Sequence, residues 1–232
     1  MLKFKLVTRP LPTTNNPNPS SSPNPLPPLV VAAAPIRIKS RRLRILDFDC
    51  EARPLHWIGG DYVSKEITAI AWAWTDEPED VSCYLLGEVE PKEMLARFVE
   101  AFKKADMVTG HFIRGYDLPM VNGALTEYLM PSLTKIMTHD TKLDFIRRQG
   151  LSSSQENIGS MLKLHHPKVK MDQALWRDAN RLTPEGLEKT RARVIGDVRQ
   201  HIEMRAKLLE LGYLGPPVEW KPGAAPVESY TP

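Results

Sequence analysis

The sequence predicts an α/β domain on three observations. Residues 43–51, 66–74 and 81–86 are apolar runs of strand length, separated by turn-forming residues. After them, amphipathic helical patterns alternate with further short apolar runs. The proline-dense opening of the chain belongs to neither class. A chain of 232 residues with 42% apolar composition can bury a sizeable core. Its net charge of +3 permits a polyanionic partner without requiring one. Cys50 and Cys83 lie in strand-like runs and no CxxC occurs, which predicts free thiols in a reducing, cytoplasmic setting and no zinc site. The longest apolar run, residues 29–34, is far too short to span a bilayer, so no membrane partner is expected.

Residues 1–40 are predicted to be a disordered tail. They are dense in Pro, Ser and Asn and hold no acid, so they cannot bury enough apolar surface to offset ordering. The folded domain is expected over residues 41–214. Gly59-Gly60 and Pro78 mark short links that make the first three strands antiparallel. Pro91 opens a helix reaching about residue 105, with Met94, Leu95, Phe98 and Phe102 on one face. A short strand follows at 107–111, a helix from about Leu118, a strand at 136–138 and a helix at 141–148. Ser152-Ser153-Ser154-Gln155-Glu156 reads as another helix start. Residues 163–170, with His165-His166, read as a loop. Thr183-Pro184-Glu185 starts a long helix that runs to Gly212. Residues 215–232, with Pro216, Pro217 and Pro222, read as a C-terminal tail.

The first strand delivers Asp47, Asp49 and Glu51 to one side by alternation. Adjacent carboxylates raise one another's pKa unless a cation lies between them, and such groups suit hard divalent metals. The same residues also fit a solvated strand end. Asp117 precedes an apolar helix beginning Leu118-Pro119, where a helix cap explains it as well as a ligand does. Asp197 lies in the long helix among Val194, Ile195, Val198 and Ile202. A carboxylate beside that buried face needs a partner, either a metal or Arg193 one turn earlier.

In order, the segments Ile45-Leu46-Asp47-Phe48-Asp49-Cys50-Glu51, Gly110-His111-Phe112-Ile113-Arg114-Gly115-Tyr116-Asp117-Leu118-Pro119 and Gly196-Asp197-Val198 resemble the DEDD, or DnaQ-like, 3′–5′ exonuclease superfamily. The resemblance covers about residues 43–214 and implies an RNase H-like mixed sheet flanked by helices. It implies two Mg²⁺ or Mn²⁺ ions, one held by Asp49, Glu51 and Asp197 and the other by Asp49 and Asp117. It implies removal of nucleoside monophosphates from single-stranded or frayed DNA 3′ ends, by a freestanding nuclease or the proofreading subunit of a DNA polymerase, in a phage or bacterial context. No motif reads a 2′-hydroxyl, so DNA over RNA rests on the resemblance alone. The family's acid-x-Glu pattern favours Asp49 and Glu51 over Asp47 and Asp49 as the metal pair, and leaves Asp47 a supporting residue or a solvated charge.

Two positions depart from the family. A Tyr four residues or a His five residues before the last Asp normally assists the attacking water, and here those positions hold Arg193 and Ala192. A guanidinium stays protonated and cannot serve as base. His201, one turn after Asp197, is a candidate substitute. Phe112 stands where the family often has a polar residue. The missing base keeps a second reading open, a weak or inactive nucleic-acid-binding scaffold of the same fold, and an endonuclease is a third. Trp57 is a candidate stacking surface, and Lys168 and Lys170, with Lys163, are candidate phosphate contacts. Asp140 and Asp144 read as a cap and first turn, with Asp140 a candidate support for the site.

Overall fold

Alternation along the first strand decides what each face of the sheet can pack against. The computed structural model describes residues 41–55, 64–146, 150–166 and 168–223. Its elements are β1 (Ile45–Pro54), β2 (Lys65–Trp74), β3 (Ser82–Leu85), α1 (Pro91–Lys103), β4 (Met107–Gly110), α2 (Asp117–Glu127), β5 (Ile136–Asp140), α3 (Gln155–Met161), α4 (Gln173–Asn180), α5 (Pro184–Glu210) and β6 (Val218–Trp220). The six strands form one mixed sheet in the order β3-β2-β1-β4-β5-β6. β1, β2 and β3 pair antiparallel, whereas β4 is parallel to both β1 and β5. The α/β architecture is the one the sequence predicts.

Leu46, Phe48 and Cys50 point to one face of β1 and join Met94, Leu95, Phe98 and Phe102 of α1 and Leu118, Val121 and Leu125 of α2 in the main core. Each such fully buried side chain contributes about 1.5–3 kcal/mol. α1 forms where Pro91 takes a first-turn position and the apolar residues recur at helical spacing. The opposite face carries Asp47, Asp49 and Glu51, and there β2 contributes only small side chains. Ala69, Ala71 and Ala73 pack with Leu85 against Val194, Val198 and Ile202 of α5. Methyl groups in place of longer side chains let the helix lie close over β1. A similar close approach joins α4 to α5, where a Cβ on Gly186 would meet the backbone carbonyl of Asp178 at 2.3 Å.

Three elements differ from the sequence reading. Val218–Trp220, assigned to a C-terminal tail, is the edge strand β6, antiparallel to β5, with Trp220 buried in the main core. The helix expected over 141–148 is a series of turns in its described part, because the Asp140 carboxylate accepts from the amides of Lys142 and Leu143 at 3.0 and 3.1 Å. Residues 173–180, to which the sequence reading assigned no element, form α4, capped by Asp172, which accepts from Leu175 N at 2.9 Å. The 1–40 tail, Gly59-Gly60 and Trp57 lie outside the described residues.

Replacing Ala71, which is completely buried under α5, with Leu should overpack this layer. Stability should fall by about 1–3 kcal/mol, read as the midpoint of urea unfolding. An unchanged midpoint would show that α5 does not depend on the alanine spacing.

Candidate metal centre

Two repeats meet where α5 crosses β1. Alternate residues of a strand are about 6.6 Å apart, and residues four apart on a helix are about 6 Å apart. Asp47, Asp49 and Glu51 therefore face His201, Asp197 and Arg193 in three successive rungs. In the outer rungs His201 Nδ1 hydrogen-bonds Asp47 Oδ2, and Arg193 Nε donates to Glu51 Oε1. The middle rung sets acid against acid. Asp49, Glu51 and Asp197 each offer a carboxylate oxygen, all within 4.8 Å of one another, an arrangement that can hold a metal ion.

Asp117 reaches the same place from the start of α2. Tyr116 holds the cap position, so Asp117 is the first residue of the helix, and its Oδ1 accepts from Cys50 N at 3.2 Å. Asp49, Glu51, Asp117 and Asp197 all line one pocket of about 310 Å³, with His111, Phe112, Tyr116, Lys142, Gln155, Lys168 and Arg193 also on its walls. Asp49 and Glu51 lie on β1 just past its parallel pairing with β4, so the acids gather beyond the carboxyl end of β4, where open α/β sheets bind ligands.

Electrostatics here favour a cation. Burial, then the charges of Asp117, Asp197 and Glu51, hold the Asp49 carboxyl well above the ordinary range. Burial also raises Glu51 and Asp197, with Arg193 and Lys168 opposing the rise. Burial pushes Asp117 up to about 7 against its hydrogen bond from Cys50. Lys168 Nζ lies 3.2 Å from Asp197 Oδ2, and Arg193 Nη2 lies 3.7 Å from the same oxygen. Asp197 Oδ1 is buried with no hydrogen-bond partner among the described residues. An orphaned carboxylate oxygen among acids that resist ionising together fits a hard divalent ion.

The remaining candidates separate clearly. Asp47 is fully buried, so the solvated reading of it is wrong. His201 is also buried and lies beneath the pocket on Asp47, not on its wall. Lys168 reaches the acids, whereas Lys170 is exposed and outside the pocket lining. Ala192 is exposed.

The sequence reading gave Asp140 and Asp144 little weight, yet they shape the pocket wall. Asp140 accepts from Phe112 N at 2.9 Å and Arg114 N at 3.0 Å, which holds Phe112 at a left-handed φ of 72°. That backbone costs a bulky residue about 1–3 kcal/mol. Arg114 forms a fork with Asp144, at 2.9 and 2.5 Å, with both side chains nearly buried. The available signal was Arg114 inside the second motif together with two acids four residues apart, Asp140 and Asp144, later in the chain.

No protein-family model matches this chain, and no curated protein does. Among solved structures it is similar to the family B DNA polymerase from the hyperthermophilic archaeon Pyrobaculum calidifontis. The TM-score is 0.55 at 16% identity, over 73% of this chain and 25% of that one. The chain thus spans about a quarter of that polymerase's length, and the likeness is one of fold, an RNase H-like mixed sheet flanked by helices. Among the described residues, no helix is long and apolar enough to cross a membrane.

Two outcomes follow from this geometry. Folded Asp117 keeps a proton up to about pH 7 that an unfolded aspartate loses near pH 4, so the folded state binds the extra proton. In chelator, stability should fall as pH rises from about 4 to 7 and level off above that. Asp117→Asn should flatten part of this slope in urea melts, whereas parallel curves would contradict the assignment. Arg114→Met strands the buried Asp144 charge and should cost about 3–5 kcal/mol, with Asp144→Asn recovering part of the loss in the double variant.

Proposed function

We propose that this chain is a metal-dependent 3′–5′ exonuclease that removes nucleoside monophosphates from nucleic-acid 3′ ends. The substrate is DNA in replication proofreading or repair, with RNA a weaker candidate. The observation that carries the reading is the convergence of Asp49, Glu51 and Asp197 on one pocket that Asp117 also lines. Two Mg²⁺ or Mn²⁺ ions, one on Asp49, Glu51 and Asp197 and one on Asp49 and Asp117, would supply activation of water and stabilisation of the leaving oxygen.

The chain's own groups support binding of a strand end. Lys168 and Arg193 bring two cations to the pocket beside Asp197 and Glu51. Phe112 and Tyr116 line it with flat faces, and Lys142 and Lys65 sit 4.0 and 4.1 Å from their ring centres. Aromatic faces interleaved with cations suit an unpaired base and its phosphate. The likeness to a polymerase makes a DNA polymerase the first partner to test.

Arg193 favours a second reading, the non-catalytic scaffold, because it occupies Glu51 and stands where a base would be expected. One experiment separates the two. The full chain is incubated with Mg²⁺ or Mn²⁺ and 5′-labelled single-stranded DNA or RNA, and unfolding is followed in parallel. A descending product ladder, abolished by EDTA, Asp49→Asn and Asp197→Asn, is expected. At a metal concentration 100 times its Kd the fold should gain about 2.7 kcal/mol, a gain that Asp197→Asn removes. Binding of nucleic acid without cleavage in either metal would favour the scaffold, and discrete internal cuts an endonuclease.

A further inference from the structure

Two cations on the α1 side of the sheet have no counter-charge of their own. The Arg44 guanidinium lies 3.9 Å over the Trp74 ring and makes no ion pair or side-chain hydrogen bond among the described residues. The Lys104 ammonium, at the end of α1, makes none either. The backbone of Arg44 is pinned to the turn after α1. Its amide donates to Asp106 Oδ2 at 2.8 Å, and its carbonyl accepts from Asp106 N at 2.9 Å. Asp106 gives its other oxygen to Arg41, which leaves the Arg44 guanidinium free.

A second stack stands beside the first. Arg97 lies 5.0 Å over the Tyr84 ring and is held by Glu93 at 3.0 Å, while Tyr84 stacks on Trp72 at 5.3 Å. Arg44, Trp74, Tyr84, Arg97 and Lys104 line one pocket of about 270 Å³, in which Glu100 is the single acid. This pocket is remote from the candidate metal centre. Trp74 pairs with Leu46 near the start of β1 and packs on the α1 core, whereas Asp49 and Glu51 lie farther along β1 on the face under α5.

We propose that this pocket is a second nucleic-acid site, which holds phosphates and unpaired bases of a single strand away from its 3′ end. The inference goes beyond the nuclease reading and is tested without cleavage.

Three properties select this ligand. The free guanidinium fork of Arg44 matches the oxygens of a phosphate, and Lys104 adds a second positive point. A guanidinium held flat on an indole extends the aromatic surface outward, and unpaired bases stack on such planes. A side chain already fixed by its backbone and its ring loses little freedom when a ligand arrives. An acidic peptide would satisfy the charges but brings no flat ring to the stacks. A duplex would offer phosphates while keeping its bases inside. Glu100 opposes any anion, which gives the site an internal control of opposite sign.

The test follows binding of 5′-fluorescein-labelled single-stranded DNA to the full chain in EDTA, by anisotropy, as salt is raised. Arg44→Gln/Lys104→Gln should weaken binding about tenfold at low salt and make the log–log salt slope shallower by about 1.4, about 0.7 for each phosphate lost. Arg44→Lys keeps the charge and loses the plane, so it should keep the slope and still weaken binding. Glu100→Gln should tighten binding, a gain that lost packing would not produce. If the double variant unfolds in urea melts where the wild type does not, Lys104→Glu, at an exposed helix end, carries the test. Equal affinity and slope in wild type and double variant would overturn the site, and so would polyglutamate competing as well as DNA. With Mn²⁺, the double variant should raise the half-saturating DNA concentration and leave the maximal single-turnover rate unchanged. A wild-type chain that cleaves nothing, yet loses DNA affinity in the double variant, would sink the nuclease reading and uphold this site.

Discussion

The structure depends on how it contends with carboxylates crowded into one pocket. At separations under 4.8 Å, each ionised pair repels by about 3–4 kcal/mol at an effective dielectric of 20. No small domain tolerates several such terms uncompensated. The chain answers with four devices: the Lys168 ammonium on Asp197, the Arg193 guanidinium on Glu51, the Cys50 amide on Asp117, and protons retained on the most enclosed acids. A divalent cation would replace the last of these, because it attracts several carboxylates at once. The same crowding that strains the fold suits the pocket to multivalent positive charge.

The three-rung contact between β1 and α5 keeps this arrangement in place. The outer rungs are attractive and the middle one is repulsive, so the alignment of helix on strand is fixed by charge as well as by packing. Sliding α5 by one turn would set Arg193 against Asp49 and Asp197 against Asp47, moving the acid-to-acid rung from the pocket to a fully buried position. The two repeats differ by about half an ångström per rung, so the match holds over three rungs and then fails. At the fourth position Arg205 turns to His139 on β5, 3.3 Å away.

How much of this the sequence disclosed follows from the range of each interaction. Local signals were enough for α1, α3 and α5, whose caps and first-turn prolines stand beside their apolar stripes. They were also enough for the order of the acids, because strand alternation and helix position can be read from a few residues. The partners of Asp47 and Glu51 lie on α5, roughly 150 positions away, and no local pattern contains them. His201 was legible as a residue one turn from Asp197, but its burial was not, since that depends on alanines in β2. α4 escaped notice because it is only eight residues long and buries a single alanine. β6 was hidden by prolines on both sides, and it exists because the edge of β5 needs hydrogen-bonding partners.

The alanine face of β2 has a consequence beyond packing. Ala69, Ala71 and Ala73 touch no candidate ligand, yet they set the height at which α5 rides over the sheet, and hence how far Asp197 stands from Asp49 and Glu51. Divalent ions differ in preferred oxygen distance by a few tenths of an ångström, from about 2.0–2.1 Å for Mg²⁺ to 2.3–2.6 Å for Ca²⁺. A single added methylene moves a packed helix by a comparable amount. The strand beside the pocket would thus act as a gauge, with the radius of any ion held there set in methyl groups that never meet it.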